Sequence, residues 1–347
     1  MSTHSSTIGQ PGTPDRDERA QQRLRFYQVG TFAVGNRLLD PSLRTVQADP
    51  QRPNALTSGH RACPGCGEAL AARYVLDAAA HATGGQLVTV NATGCLEVTS
   101  SPYPESAWRL PWLHSLFGNA PAVASGVVAG LHAQGRDDVR VVAQGGDGGT
   151  VDIGFGTLSG MFERNDDVLY VCYDNGGYMN TGIQRSAATP PAASTMTTQV
   201  VDGSIGNPFG QGKDVPRIAT AHGIPYVATA TVADLHDLEA KVTRAMGMHG
   251  ARYLHVLVPC PLGWGTESSQ TVRLARLATQ SGFFPLFEAE HGEVTGATPI
   301  RTPVPVEDYL REQGRFRHLF TPTRRDDIIA RLQAIADANI ARYGLLG

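Results

Sequence analysis

From Glu68 onward, helix-period stretches alternate with short apolar runs. EALAARYVLDAAAHA is Ala-rich and helical, and LVTVNA at 87–92 reads as a strand. Residues 119–134 (NAPAVASGVVAGLHAQ) are apolar almost all round, which predicts a buried helix lying against a sheet. A strand at 139–144 leads into a run of glycines, then a short helix over 156–164 and a strand at 168–173. Further on, 224–230 reads as strand, 232–248 as helix and 253–259 as strand. Short apolar strands alternating with helices imply an α/β fold, a mainly parallel sheet with helices on both faces. Ligands of such sheets sit outside the carboxyl ends of the strands. The glycine run and Asp174-Asn175-Gly176-Gly177 both fall there.

The two ends break this rhythm. Residues 1–22 are polar, and 23–52 add scattered apolar anchors such as Phe26, Tyr27 and Phe32, so 1–52 reads as an N-terminal extension, disordered or docking as an arm. After Gln280 the texture turns aromatic and Pro-rich. The organisation expected is therefore an α/β domain over 53–285 and a C-terminal arm over 286–347, ending in a helix near 325–343. The net charge of −3 over 347 residues argues against a protein that coats nucleic acid or an anionic membrane. Residues 1–25 lack the apolar run of a signal peptide and no stretch of ~18 apolar residues occurs, so the cytoplasm is the expected location. Cysteines there are reduced and free to bind metals.

Glycine is abundant, 39 residues, and seven of them (Gly145, Gly146, Gly148, Gly149, Gly154, Gly156 and Gly160) lie close together. Gln144-Gly145-Gly146-Asp147-Gly148-Gly149 directly follows a buried strand, where glycines let backbone N–H groups approach a phosphate and a following helix adds its positive end. Asp147 changes that picture. A carboxylate beside a phosphate is repulsive unless a hard cation bridges them, and Mg²⁺ with oxygen ligands does so. Asp174-Asn175-Gly176-Gly177, ending the next strand, would supply a side-chain amide oxygen and a backbone carbonyl to the same ion. A G-D-G followed some distance later by Asn resembles the thiamin diphosphate and Mg²⁺ signature. The dinucleotide and P-loop motifs are absent.

Of five cysteines, Cys63-Pro64-Gly65-Cys66 puts two on one tight turn, and Cys95 and Cys260 each follow a strand. Four thiolates meeting at one sheet edge suit either tetrahedral Zn²⁺ or a [4Fe–4S] cluster. One C-x-x-C pair joined by two distant single cysteines favours iron–sulfur. Cys172, inside an apolar strand, reads as a buried core thiol. His60 reads as a hydrogen-bonding residue beside the cysteine turn.

With these residues in view, the chain resembles the β subunits of the 2-oxoacid:ferredoxin oxidoreductase family, most of all those acting on pyruvate. The resemblance spans residues 57–320. It rests on Gly59-His60 with Cys63-Pro64-Gly65-Cys66-Gly67, Asn91-Ala92-Thr93-Gly94-Cys95, Ser115-Leu116-Phe117, Gly145-Gly146-Asp147-Gly148 and Tyr173-Asp174-Asn175. Tyr178 to Ser186 and Cys260-Pro261-Leu262-Gly263-Trp264 complete it. The family commonly has Thr where this chain has Leu262, and residues 1–52 exceed what it leads one to expect.

The resemblance implies a thiamin diphosphate-binding fold and a CoA-acylating enzyme that oxidatively decarboxylates pyruvate to acetyl-CoA and CO₂, or runs in reverse. It implies that Cys63, Cys66, Cys95 and Cys260 hold a [4Fe–4S] cluster, that Asp147, Asn175 and Gly177 hold Mg²⁺, and that Gly146, Gly148 and Gly149 cradle the diphosphate. Phe117 would pack near the cofactor, and Asn180 would sit over the reacting carbon as the catalytic residue. The carboxylate that forms the thiamin ylide is expected on a partner. Work in a complex with α, γ and δ subunits or fusions of them follows, with ferredoxin or flavodoxin as electron acceptor and pyruvate and coenzyme A as substrates. The alternatives are another 2-oxoacid (2-oxoglutarate, branched-chain or aryl) and a zinc-stabilised, non-catalytic assembly subunit.

Overall fold

A computed structural model of the chain describes residues 54–102, 105–201 and 203–346. The expected N-terminal extension over 1–52 lies outside the described residues.

Eight strands form one sheet: β1 (Leu87–Ala92), β2 (Trp112–Ser115), β3 (Arg140–Gly146), β4 (Val168–Asp174), β5 (Tyr226–Thr231), β6 (Arg252–Leu257), β7 (Phe287–Glu290) and β8 (Glu293–Ala297). Their spatial order is β2-β1-β3-β4-β6-β5-β7-β8. The first six run parallel, while β7 is antiparallel to β5 and β8 to β7. Strands β4, β5 and β6 are buried almost end to end, as their continuous apolar runs require of strands covered on both faces.

Alternate strand residues feed two separate cores. On one face Val142, Leu169, Val171 and Leu254 pack under the helices Gly67–Ala82 and Leu235–Met246. On the other, Val141, Ala143, Tyr170 and Tyr253 pack under Ala120–Ala133, Phe155–Glu163 and Val215–Ala221. Helix entry is set locally: Asp234 accepts from the Asp237 N–H at 3.0 Å and Asp214 from the Arg217 N–H at 3.3 Å.

The structure departs from the sequence pattern in three places. The helix over Ala120–Ala133 buries Ala120, Pro121 and Ala124, but Ala122, Gly126, Ala129, Gly130 and Ala133 face outward, so it is not the buried helix its composition predicts. Apart from His132, its outward residues are small and apolar, and composition alone does not distinguish them from core. The glycine run does not wait until residue 156 to become helical, because a π-helical turn at Gly148–Ile153 precedes Phe155–Glu163. Finally, 286–347 is more than an arm laid over a finished domain. β7 and β8 extend the sheet, and Tyr309, Phe316, Ile328 and Leu332 build a third core with Leu257, Trp264 and Leu274. Residues 53–347 accordingly form one compact unit. Among the described residues no helix is long and apolar enough to cross a membrane.

Candidate functional site

Parallel pairing places Gly146 of β3 beside Tyr173 of β4, so Asp147 and the Asp174–Gly177 loop leave the sheet at the same edge. Asp147 is fully buried. Its Oδ2 accepts the Ser186 hydroxyl, and its Oδ1 accepts the Asn175 backbone N–H at 3.4 Å. Burial first, and the charge of Asp174 second, push the Asp147 carboxyl well above the usual carboxylate range.

The head of the Asn175 side chain lies 2.9 Å from Asp147 Oδ1 and 2.9 Å from the Gly177 carbonyl oxygen. With its nitrogen turned inward the amide donates to both. With its oxygen turned inward, the amide meets two further oxygens, a contact that either a proton on the raised Asp147 carboxyl or a bridging cation relieves. Octahedral Mg²⁺ with oxygens at about 2.0–2.1 Å sets adjacent ligands about 2.9 Å apart. The donor set, an anionic carboxylate, a neutral amide oxygen and a carbonyl, is chemically apt for that ion.

Two of the glycines beside it, Gly148 and Gly149, are sterically required. A Cβ on Gly148 would lie 2.5 Å from the Tyr178 ring, and one on Gly149 would lie 2.9 Å from the Phe117 carbonyl oxygen. Gly146 has open space on its side-chain face. Phe117, Gly146, Asp147, Gly148, Gly149, Asn175, Gly177 and Asn180 all line one cavity of about 100 Å³, which Glu68 and Cys95 share. Phe117 stacks on Tyr178 with centroids 5.6 Å apart, and exposed Asn180 sits on the turn that follows.

The cysteines arrive from three directions at that edge. Cys66 and Cys260 each start a helix, their sulfurs accepting from the Ala69 N–H at 3.4 Å and the Gly263 N–H at 3.3 Å. The Gly67 N–H donates to the Pro259 carbonyl at 3.2 Å, which pins the Cys63–Cys66 turn to the end of β6. A Cβ at Gly67 would come within 2.7 Å of that oxygen. Cys95 opens the helix Cys95–Ser100. Burial pushes the Cys66 thiol up to about 12 and the Cys95 thiol higher. Charge on Glu68, Cys260, Cys66 and Cys63 raises Cys95 further, so the four sulfurs are electrostatic neighbours. Yet among the described residues no three His, Cys, Asp or Glu side chains are spaced to hold a single ion. A cluster of several irons spans more space than one tetrahedral ion. Cys172 is fully buried in β4, as a core thiol should be. His60 is exposed, and its Nδ1 accepts the Ala62 N–H at 3.4 Å. Leu262, beside Cys260, is 70% exposed.

Residues 92–256 match the thiamine pyrophosphate enzyme C-terminal, TPP-binding domain family. The chain is 50% identical to pyruvate synthase subunit PorB of Methanosarcina barkeri, over 84% of this chain and 97% of that one. It is 47% identical to PorB of Methanothermobacter thermautotrophicus, over 82% of this chain and 95% of that one. The chain belongs to the pyruvate synthase subunit PorB family. Among solved structures it resembles the 2-oxoglutarate:ferredoxin oxidoreductase of Magnetococcus marinus, at 29% identity and a TM-score of 0.50, over 59% of this chain and 67% of that one.

Within this chain the TPP-binding match includes Asp147, Asn175 and Cys95, and leaves Cys63, Cys66 and Cys260 on flanking segments. Several site residues carry no sequence signal of their own. Ser186 sits in a loop yet donates to Asp147. Glu68 reads as an acidic residue in the first turn of a helix, but its carboxyl is buried in the cavity wall. Burial pushes it up to about 7, with the Leu96 backbone N–H pulling the other way. Trp264 ends the Cys260 turn and donates its indole N–H to the Asn175 carbonyl at 2.6 Å, joining the cysteine edge to the Asn175 loop.

Proposed function

We propose that this chain is the thiamin diphosphate- and cluster-carrying subunit of a CoA-acylating pyruvate:ferredoxin oxidoreductase. The carrying observation is that the Asn175 amide head lies 2.9 Å from both Asp147 Oδ1 and the Gly177 carbonyl oxygen, the spacing of adjacent Mg²⁺ ligands, in one cavity with Cys95. In this reading Asp147, Asn175 and the Gly177 carbonyl hold Mg²⁺, and Gly146, Gly148 and Gly149 admit the diphosphate. Bound thiamin diphosphate supplies a nucleophilic carbon and an electron sink for decarboxylating a 2-oxoacid, and a [4Fe–4S] cluster supplies a one-electron acceptor.

The chain's residues set the geometry. Phe117, stacked on Tyr178, gives the cavity an apolar wall. Asn180, on the turn at its rim, offers an amide to a bound substrate. Cys63, Cys66, Cys95 and Cys260 hold the cluster at the same edge, so donor and acceptor lie close together.

The family resemblance places the ylide-forming carboxylate on a partner subunit, distinct from Glu68 in this cavity wall. The complete site then needs partner subunits, expected as α, γ and δ or fusions of them, with ferredoxin or flavodoxin receiving electrons. A cytoplasmic location accords with reduced, oxygen-sensitive chemistry. A branched-chain 2-oxoacid is the second reading, favoured by 40% identity to ketoisovalerate oxidoreductase subunit VorB of Pyrococcus horikoshii, over 76% of this chain and 85% of that one.

The test is an anaerobic assay of the reconstituted complex, with coenzyme A and ferredoxin, against a panel of 2-oxoacids. Pyruvate should give the highest kcat/KM. A higher value for a branched-chain acid would replace the first reading by the second, and turnover by this chain alone would refute the need for partners.

A further inference from the structure

Arg315 carries a buried positive charge that acts on Asp174 across a cavity but has no carboxylate at salt-bridge distance among the described residues. The residue is 5% exposed. Its Nε donates to Gln313 Oε1 at 2.8 Å and its Nη2 to the Tyr309 hydroxyl at 3.4 Å, both neutral partners, while Nη1 has no hydrogen-bond partner. Asp174 borders the same cavity of about 130 Å³ but is already engaged, by His255 Nε2 at 3.0 Å and by the Gly176 N–H at 2.8 Å. Asp174 offsets the buried charge only from beyond hydrogen-bond distance and Nη1 stays unpaired, so a further negative charge beside Arg315 is stabilised.

The surroundings of Arg315 point to where that charge sits. Its guanidinium lies over the Trp264 ring, 3.9 Å from the centroid. Trp264 ends the turn that Cys260 opens, and its indole holds the Asn175 carbonyl. On the other side Nη1 is so close to the Asn175–Gly177 loop that a Cβ on Gly176 would meet it at 2.8 Å. Arg315 thus reaches the cysteine edge and the Asn175 loop through one ring and one glycine.

We propose that Arg315 is a positioning residue, the buried counter-charge of the four-cysteine centre, and that it raises the reduction potential of that centre. This rests on the reading of Cys63, Cys66, Cys95 and Cys260 as ligands of a [4Fe–4S] cluster. Reduction adds one electron and one negative charge to the centre. Arg315 forms and breaks no bond and keeps its proton. The electron comes from the 2-oxoacid in turnover and from dithionite in a titration.

The experiment compares wild type, Arg315→Gln and Arg315→Lys in the anaerobically purified complex, by iron content and by an EPR-monitored potentiometric titration. With iron retained, Arg315→Gln should make reduction about tenfold less favourable, a midpoint about 59 mV more negative for one electron. Arg315→Lys should recover most of that shift. An unchanged midpoint in Arg315→Gln, or a Lys variant shifted as far as the Gln variant, would overturn the proposal. If Arg315→Gln loses iron, Lys decides: iron and potential near wild type support the proposal, and loss in both variants overturns it. Wild-type complex free of cluster iron would instead overturn the underlying reading, before any variant is made.

Discussion

The side chain of Asn175 comes within 2.9 Å of Asp147 Oδ1, although the two residues belong to different strand ends. That approach is the point at which two loops become one site. Parallel pairing of β3 with β4 brings it about, and a divalent cation between the two heads would relieve the burial that holds the Asp147 carboxyl high.

Asp147→Asn keeps the shape and removes the anionic ligand. Thiamin diphosphate affinity in the presence of Mg²⁺ should fall at least ~100-fold, about 2.7 kcal/mol. Thermal stability of the cofactor-free chain should not fall, because a carboxyl that is costly to bury has been removed. Calorimetric binding and a melting curve read the two effects separately.

Gly148→Ala and Gly126→Ala should act in opposite directions. At Gly148 the new methyl would collide with the Tyr178 ring, which is locked between Phe117 and a hydroxyl contact to Asp152 Oδ2 at 3.1 Å, so cofactor binding should be lost. At Gly126, within a helix, a methyl meets nothing within 4 Å. There it should stabilise the isolated chain by about 0.5–1 kcal/mol. Denaturant melts of both variants check the contrast.

Cys260→Ser should strip most iron from the complex, whereas Cys172→Ser should leave iron content unchanged. Cys260 opens a helix at the cysteine edge, while Cys172 is enclosed in β4 beside His255. Iron analysis after anaerobic purification distinguishes them.

Glu307 gives a pH signature remote from the site. Hydrogen bonds from Arg324 first, and from Arg311, hold its carboxyl at about 2, below its ordinary value of 4.5. A carboxyl lowered by folding contributes stability above its unfolded pKa and loses it as pH falls through the folded one. The melting temperature of Glu307→Gln should therefore lie below wild type at neutral pH, with the gap closing between about pH 4.5 and 2. The pair is partly exposed, so the gap should be small and shrink in salt.

Much of the site was legible because its residues stand at strand ends. Asp147 follows the run Val141 to Gln144, Asn175 follows Val168 to Tyr173, and Cys95 and Cys260 follow β1 and β6, so periodicity alone places them on one edge. The burial of Arg315 was not legible, because it depends on Trp264 and Tyr309, distant in sequence or on another turn, folding against it. The Ala120–Ala133 helix misled in the opposite sense. Hydrophobic composition measures what can be buried, and the outward Ala and Gly positions are apolar without being covered in this chain. Ser186 needed the tertiary structure, since a loop serine carries no pattern that reports its partner.

The most direct test is anaerobic mixing of pyruvate with the reconstituted complex, with and without Asp147→Asn, while EPR follows reduction of the cluster. In wild type, pyruvate should reduce the cluster when thiamin diphosphate and Mg²⁺ are present. In Asp147→Asn pyruvate should fail to reduce it although dithionite still succeeds. Equal reduction by pyruvate in both proteins, or none in wild type, would contradict the account.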